Sequence, residues 1–227
     1  MPAIYWAGDS TVQYNSEETF PQTGLGQVFD LFLKPDILVK NHAKNGRSTK
    51  SFMDEGRIAP IYDSITEGDF LFIQFGHNDE KKEDPSRYTD PDEEFMENLE
   101  RFVNAARNKK ANPVFITPVA RRHFISENEL AEDAHLPYCR AMKLMGERLQ
   151  VPVIDLDTIS KEMLIAAGEE KSREWYMRFP AGIYENYPEG SEDDTHLRLE
   201  GARRYAEAIA HELAKLGGIY GDLLAQA

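Results

Sequence analysis

The sequence predicts an α/β protein built on a doubly wound, parallel sheet. Three observations carry that expectation. Short apolar runs of strand length alternate with segments whose apolar residues recur at helical spacing, the pattern of strands joined by right-handed helical crossovers. The run Phe70-Leu71-Phe72-Ile73-Gln74-Phe75 is apolar at nearly every position, as a strand covered on both faces requires. No composition break or Pro-, Gly- or Ser-rich linker divides the 227 residues, so residues 1–227 read as a single domain with one sizeable core.

The elements follow in order. Ile4 to Ala7 is the first strand, and Gly24 to Leu33 carries Leu25, Val28, Phe29 and Phe32 at helical spacing. Ile37 to Val39 is a short second strand. Ser48 to Ile65 is helical in part, and Phe70 to Phe75 is the third strand. Pro91 to Lys109 is the clearest helix: acidic residues open it, Phe95, Leu99, Phe102 and Val103 line one face, and lysines close it. Val114 to Thr117 is the fourth strand. A polar loop from Ala120 to Ala134 leads to a helix ending near Gln150, and Val151 to Leu156 is the fifth strand. The last helix, Leu199 to Leu216, is stopped by Gly217-Gly218.

Composition removes several functions. The formal net charge is −14, which argues against a nucleic-acid or anionic-membrane partner, since those need clustered Lys and Arg. No apolar stretch approaches the roughly 20 residues of a membrane span. Met1 to Trp6 lacks the basic region and apolar run of a secretory leader, so a cytoplasmic location is expected. Cys139 is the sole cysteine, which excludes an intramolecular disulfide or a cysteine-rich metal site; a buried, inert thiol is expected there.

In doubly wound sheets ligands bind beyond the carboxyl ends of the strands, near the point where strand order reverses. Gly8-Asp9-Ser10 follows the first strand, Asn41 to Ser48 the second, and Gly76-His77-Asn78-Asp79 the third. A strand order of 2-1-3-4-5 would make these loops converge. Ser10 needs a base before its hydroxyl can attack. Of the six histidines, His211 falls inside the last helix and His135 near the start of another, where surface or packing roles are expected. His196 stands three residues after Asp193. In a helical turn that spacing brings side chains together, so the carboxylate would fix the ring while the other nitrogen faces Ser10. A second reading stays open: Asp193 and Asp194 as caps of the coming helix. Donors for a tetrahedral oxyanion are the N–H of Ser10, the N–H of Gly46, where a missing side chain permits close approach, and the amide of Asn78. Gly46 as a plain turn residue, and Asn78 as a group serving its own loop, also stay open.

Taken together, Gly8-Asp9-Ser10, Gly46, Gly76-His77-Asn78-Asp79 and Asp193-Asp194-Thr195-His196 resemble the SGNH, or GDSL, hydrolase superfamily, in order and over almost the whole chain. The resemblance implies a flavodoxin-like, three-layer α/β/α sandwich with a five-stranded parallel sheet. It further implies a Ser10–His196–Asp193 triad and an oxyanion hole of Ser10, Gly46 and Asn78. The Gly-x-Ser-x-Gly elbow of ordinary α/β-hydrolases is absent. Gly8-Asp9-Ser10-Thr11, Asn45-Gly46-Arg47-Ser48, Gly76-His77-Asn78-Asp79, Pro118 to Arg122 and Asp194-Thr195-His196-Leu197 are similar to the rhamnogalacturonan acetylesterases. That similarity implies a serine esterase that removes acetyl groups from acetylated pectin oligosaccharides through an acyl-enzyme, with no metal or organic cofactor.

An acidic protein repels a polyanionic substrate at long range, so local cations are expected to hold the galacturonate carboxylates. The candidates beside the predicted loops are Lys44, Arg47, Arg121, Arg122, Arg178 and Arg198; Arg47, Arg121 and Arg122, with His77, form the expected substrate-binding group. The alternative for each cation is pairing with a nearby Asp or Glu. Tyr14, Phe124, Tyr184 and Tyr187 are candidates for stacking on sugars. In a cytoplasmic enzyme the substrates would be short, imported oligosaccharides. Two rival functions remain: a general SGNH esterase or thioesterase acting on acetylated xylan or lipid esters, and a phosphoesterase whose metal is held by Asp9, Asp79, Asp193, Asp194 and His196.

Overall fold

The computed structural model describes residues 2–225. Its elements are β1 (Ala3–Gly8), α1 (Leu25–Val28), β2 (Leu38–Asn41), α2 (Thr49–Asp54), α3 (Ile58–Ser64), β3 (Phe70–Gln74), α4 (Glu94–Asn108), β4 (Asn112–Ile116), β5 (Phe124–Ser126), β6 (Glu129–Leu130), α5 (Leu136–Leu149), β7 (Val153–Ile154), α6 (Leu156–Ser172), β8 (Tyr176–Phe179), β9 (Ser191–Leu197), α7 (Leu199–Leu216) and α8 (Gly218–Gly221). Five strands form a parallel sheet in the order β2-β1-β3-β4-β7. The order reverses between β1 and β3, so the loops leaving their carboxyl ends flank a crevice.

Alternation along the strands feeds two cores. Ile4, Trp6, Phe70, Phe72, Val114 and Ile116 point to the layer of α1, α6 and α7, where Leu25, Leu164, Tyr205 and Ile209 meet them. Tyr5, Ala7, Leu71, Ile73 and Phe115 point to the layer of α2 to α5, against Phe52, Phe95, Phe102 and Met142. Both faces of β1 and β3 are therefore covered, and every residue of the two strands is buried. The result is the doubly wound parallel sheet that the alternating pattern predicts, in the three-layer α/β/α sandwich that the resemblance implies.

The elements depart locally from the sequence reading in five places. The helical spacing from Gly24 to Leu33 resolves into one α-helical turn and a 3-10 turn over Phe29–Phe32, because Val28 leaves helical geometry at φ −122°. The second strand sits at Leu38–Asn41 rather than Ile37–Val39, since pairing with β1 continues through the polar residues Lys40 and Asn41. The fifth strand contracts to two residues. Between Leu156 and Leu199, where the sequence announced nothing, lie α6 and the β8–β9 hairpin. Helix α6 buries only Leu156, Asp157, Ser160, Leu164 and Ser172 and is broken at Gly168, whose φ is 78°, so it shows no continuous apolar stripe. The predicted polar loop 120–134 contains the small β5–β6 hairpin. The last helix ends at Gly217, whose φ of 64° favours glycine.

Candidate active site

Ser10 stands two residues beyond β1 on a tight turn, not at the head of a helix; a 3-10 turn follows at Glu17–Thr19, and the next α-helix begins at Leu25. The carbonyl of Asp9 accepts from the N–H groups of Val12 and Gln13. The Asp9 side chain accepts from the Thr11 N–H and hydroxyl, each at 2.9 Å, which ties the turn to itself. Burial raises the Asp9 carboxyl above its ordinary range, against the Thr11 hydrogen bonds.

His196 reaches this turn from the far end of the chain. Its Nε2 lies 2.9 Å from Ser10 Oγ, and its Nδ1 lies 2.6 Å from Asp193 Oδ2. Asp193 Oδ1 also accepts from the backbone N–H groups of Thr195 and His196, at 2.7 and 3.0 Å. Burial pushes the imidazole pKa down, but the hydrogen bond and charge of Asp193 outweigh it and hold His196 above its ordinary value. For Asp193, burial pushes upward and the His196 contacts outweigh it, so the carboxylate sits below its ordinary range.

The predicted helical turn for Asp193–His196 is corrected: the segment belongs to strand β9. Tyr176 pairs with Leu197 and Arg178 with Glu192. Strand β8 thus advances two residues while β9 advances five, and the surplus bulges out to bring Asp193 and His196 together. The capping reading falls as well, because the N-cap of α7 is Arg198 and no side chain caps it.

Asp194 is instead the anchor of the bulge. Arg122 Nη1 donates to it at 2.9 Å, and Arg178 donates through Nε and Nη2 at 2.9 and 2.7 Å. Arg121 Nε donates to Thr195 Oγ1 at 3.2 Å. Three arginines therefore fix the residues between Asp193 and His196.

The crevice over Ser10 is a cleft of about 530 Å³ lined by Ser10, Gln22, Asn45, Gly46, His77, Asn78, Lys81, Arg87, Arg121, Asp193, Thr195 and His196. Gly46 has φ 76° and open space where a Cβ would project, so the turn itself demands glycine. The N–H groups of Ser10 and Gly46 donate to no group among the described residues. Asn78 Nδ2 donates to the Arg47 carbonyl, while Oδ1 accepts from Arg87 Nη1, both at 3.1 Å. These two contacts fix the amide orientation and leave one N–H over. Three spare donors thus line the cleft that holds the Ser10 hydroxyl, which is the equipment of acyl transfer.

The expected substrate-binding residues divide. Arg122 is corrected: its side chain is 4% exposed and committed to Asp194, Ser172 and Glu169, so it braces the bulge. Arg47 is corrected too, because it pairs with Glu55 at 2.9 Å and donates to the Asn45 carbonyl, outside the cleft lining. Arg121 lines the cleft, but its guanidinium is held by Glu80 at 2.6 Å. His77 lines it as well, 4% exposed, with Nε2 on the Val119 carbonyl and its ring stacked on His135. Burial above all, then neighbouring cationic groups, keeps the His77 pKa well below its ordinary value. Arg178 serves Asp194, and Arg198 serves the Tyr176 carbonyl. Phe124 lies under Arg122, while Tyr184 and Tyr187 pack on Phe179. Tyr14 is exposed on another groove, beside β2.

The five proposed metal ligands all have protein partners, Asp193 and His196 in each other. Asp79 Oδ1 accepts from Thr49 and Thr89, Asp9 from Thr11, and Asp194 from two arginines. Among the described residues, the group with metal-compatible spacing is His135, Cys139 and Asp157, all buried. There His135 donates to Asp157 at 3.0 Å and Lys161 reaches the same carboxylate at 2.8 Å. An ammonium already paired with that carboxylate opposes a cation. The Cys139 thiol is pushed well up by burial, in keeping with an inert side chain.

Sequence reasoning missed Gln22, Asn45, Lys81 and Arg87 in the cleft. Asn45 beside Gly46 and Lys81 three residues after Asn78 were within reach of motif reading. Gln22 and Arg87 had no signal, since nothing local marks which loop folds over a distant strand end.

Comparisons with known proteins show what the chain as a whole is similar to. The chain is 43% identical over 214 residues to the rhamnogalacturonan acetylesterase RhgT of Bacillus subtilis (strain 168), covering 94% of this chain and 90% of that protein. It is 40% identical over 214 residues to the probable rhamnogalacturonan acetylesterase YesY of the same organism, covering 94% and 93%. The crystal structure of protein YxiM of Bacillus subtilis superposes with a TM-score of 0.79 at 24% identity, over 95% of this chain and 57% of that one. With a GDSL-like lipase/acylhydrolase family model matching residues 7–204, the chain belongs to that family.

Proposed function

We propose that this chain is a serine acetylesterase acting on acetylated rhamnogalacturonan oligosaccharides. The observation that carries the chemistry is the unbroken line from Ser10 Oγ through His196 to Asp193, at 2.9 and 2.6 Å. Asp193 accepts the Nδ1 proton, which leaves the Nε2 lone pair facing the Ser10 hydroxyl. Ser10 attacks the acetyl carbonyl as Nε2 takes its proton. The oxyanion is received by the N–H groups of Ser10 and Gly46 and the spare amide hydrogen of Asn78. The imidazolium, stabilised by Asp193, then protonates the departing sugar oxygen. Water attacks the acetyl-serine with His196 again as base, and acetate leaves.

The substrate side rests on two supports. The relatives at 43% and 40% identity are a rhamnogalacturonan acetylesterase and a probable one. Among the described residues the cleft lining includes no aliphatic or aromatic hydrocarbon side chain, which suits a short acyl group on a sugar better than a long acyl chain. Acetate release from acetylated rhamnogalacturonan oligosaccharides, with acetylated xylan alongside and Ser10→Ala as control, tests the reading. Ser10-dependent release from the pectin fragments is the expected result; release from xylan alone would overturn the substrate and leave the acyl chemistry standing.

A further inference from the structure

In a protein of net charge −14, the cleft carries three cations, Lys81, Arg87 and Arg121. They differ in what they can still donate. Arg121 is closed off: its guanidinium donates to Thr195 and Glu80 and lies beside Asp133. Arg87 donates through Nε to Asp84 and through Nη1 to Asn78, and its Nη2 donates to nothing among the described residues. Among the described residues Lys81 Nζ reaches only Glu80, at 3.6 Å, and that carboxylate already holds Arg121 at 2.6 Å.

Both free donors come from the loop after β3 that also supplies Asn78. Arg87 touches the Asn78 amide itself, so its free edge stands beside the place where a carbonyl on that amide would sit. We propose that Lys81 and Arg87 form a carboxylate subsite that grips the uronate residue bearing the scissile acetyl group. The proposal deepens the acetylesterase reading of the cleft and rests on it. Its physical basis is a difference of range. The summed field of an acidic protein repels a polyanion at a distance, and charge-assisted hydrogen bonds from unspent cations reverse that preference at contact.

The test uses two readouts on wild type, Lys81→Glu and Lys81→Arg. The first is competition by galacturonate and by galactose against hydrolysis of p-nitrophenyl acetate. The second is the ratio of kcat/KM for acetate release from acetylated rhamnogalacturonan oligosaccharides before and after chemical reduction of their carboxyls. Wild type is expected to favour the acid form in both, less so at high salt. Lys81→Glu should lower each preference about tenfold, and Lys81→Arg should retain it. Efficient deacetylation of the pectin fragments with both preferences unmoved by Lys81→Glu would overturn the subsite and spare the substrate assignment. Lys81-dependent competition by galacturonate without deacetylation of the pectin fragments would uphold the subsite and overturn the rhamnogalacturonan reading.

Discussion

The nucleophile and its base are held by opposite means. Ser10 is placed by hydrocarbon: β1 is buried along its whole length between two apolar layers, and the turn after it is closed by Asp9 and Thr11. His196 is placed by charge: it sits on a polar bulge of β9, outside the main sheet, pinned by Arg121, Arg122 and Arg178. Apolar packing tolerates small changes of sequence if volume is kept, whereas removing one partner of a buried ion pair leaves the other uncompensated. The base is therefore the more fragile half of the pair, although its chemistry is the easier to recognise.

The largest effects should come from the reacting groups. Ser10→Ala and His196→Ala are each expected to lower kcat by about 10⁴-fold or more, with melting temperatures close to wild type. Near wild-type turnover in either variant would remove the assignment. Asp193→Asn should cost less than either, with kcat still lowered by about 10⁴-fold, and should also move the pH profile. His196 must be neutral to accept the Ser10 proton, and Asp193 holds its pKa above the ordinary value. The acid limb of kcat/KM should therefore lie above about pH 6.5 in wild type and fall to lower pH in Asp193→Asn.

The two ways of holding can be set against each other directly. Arg122→Met leaves Asp194 without its buried partner and is expected to destabilise the fold by about 3 kcal/mol, measured by urea unfolding, while lowering kcat more than KM changes. Arg178→Met removes a partner whose side chain is 26% exposed, so about 1 kcal/mol or less is expected. Equal losses in the two variants would mean that burial does not govern the bracing.

The smallest effect concerns Asp79. Burial pushes its carboxyl up to about 7, against hydrogen bonds from Thr49 and Thr89, and its Oδ2 has no partner among the described residues. Between the ordinary carboxylate range and about 7 only the folded state keeps this proton, so stability falls as pH rises through that window. Asp79→Asn should remove this slope: its melting temperature should gain on wild type by a few degrees between pH 5 and pH 8. Parallel melting curves across that range would show that Asp79 does not titrate there.

What could be read from sequence divides along the same line. Strands β1 and β3 and helices α4 and α7 were legible because apolar periodicity is a local record of which face is covered. Ser10, Gly46 and Asn78 were legible as motifs in the loops after the first three strands, and Asp193 and His196 as a spaced pair near the far end of the chain. The β9 bulge was not, because Ser191 to His196 carries no apolar alternation and its shape depends on arginines from distant segments. Arg47 and Arg122 were misjudged for the same reason: a cation's partner is a three-dimensional fact. Charge near a site reads alike in sequence whether it braces the backbone or waits for substrate.

The idle amides of Ser10 and Gly46 have a thermodynamic consequence. A resting molecule with two backbone donors lacking a protein acceptor holds interactions in reserve that only a tetrahedral adduct on Ser10 completes. A boronate that mimics that adduct should therefore act as a stabiliser of the whole fold, raising the melting temperature with its concentration as binding linkage requires. Heat resistance would then report, without any substrate being turned over, how closely a ligand resembles the point of acyl transfer.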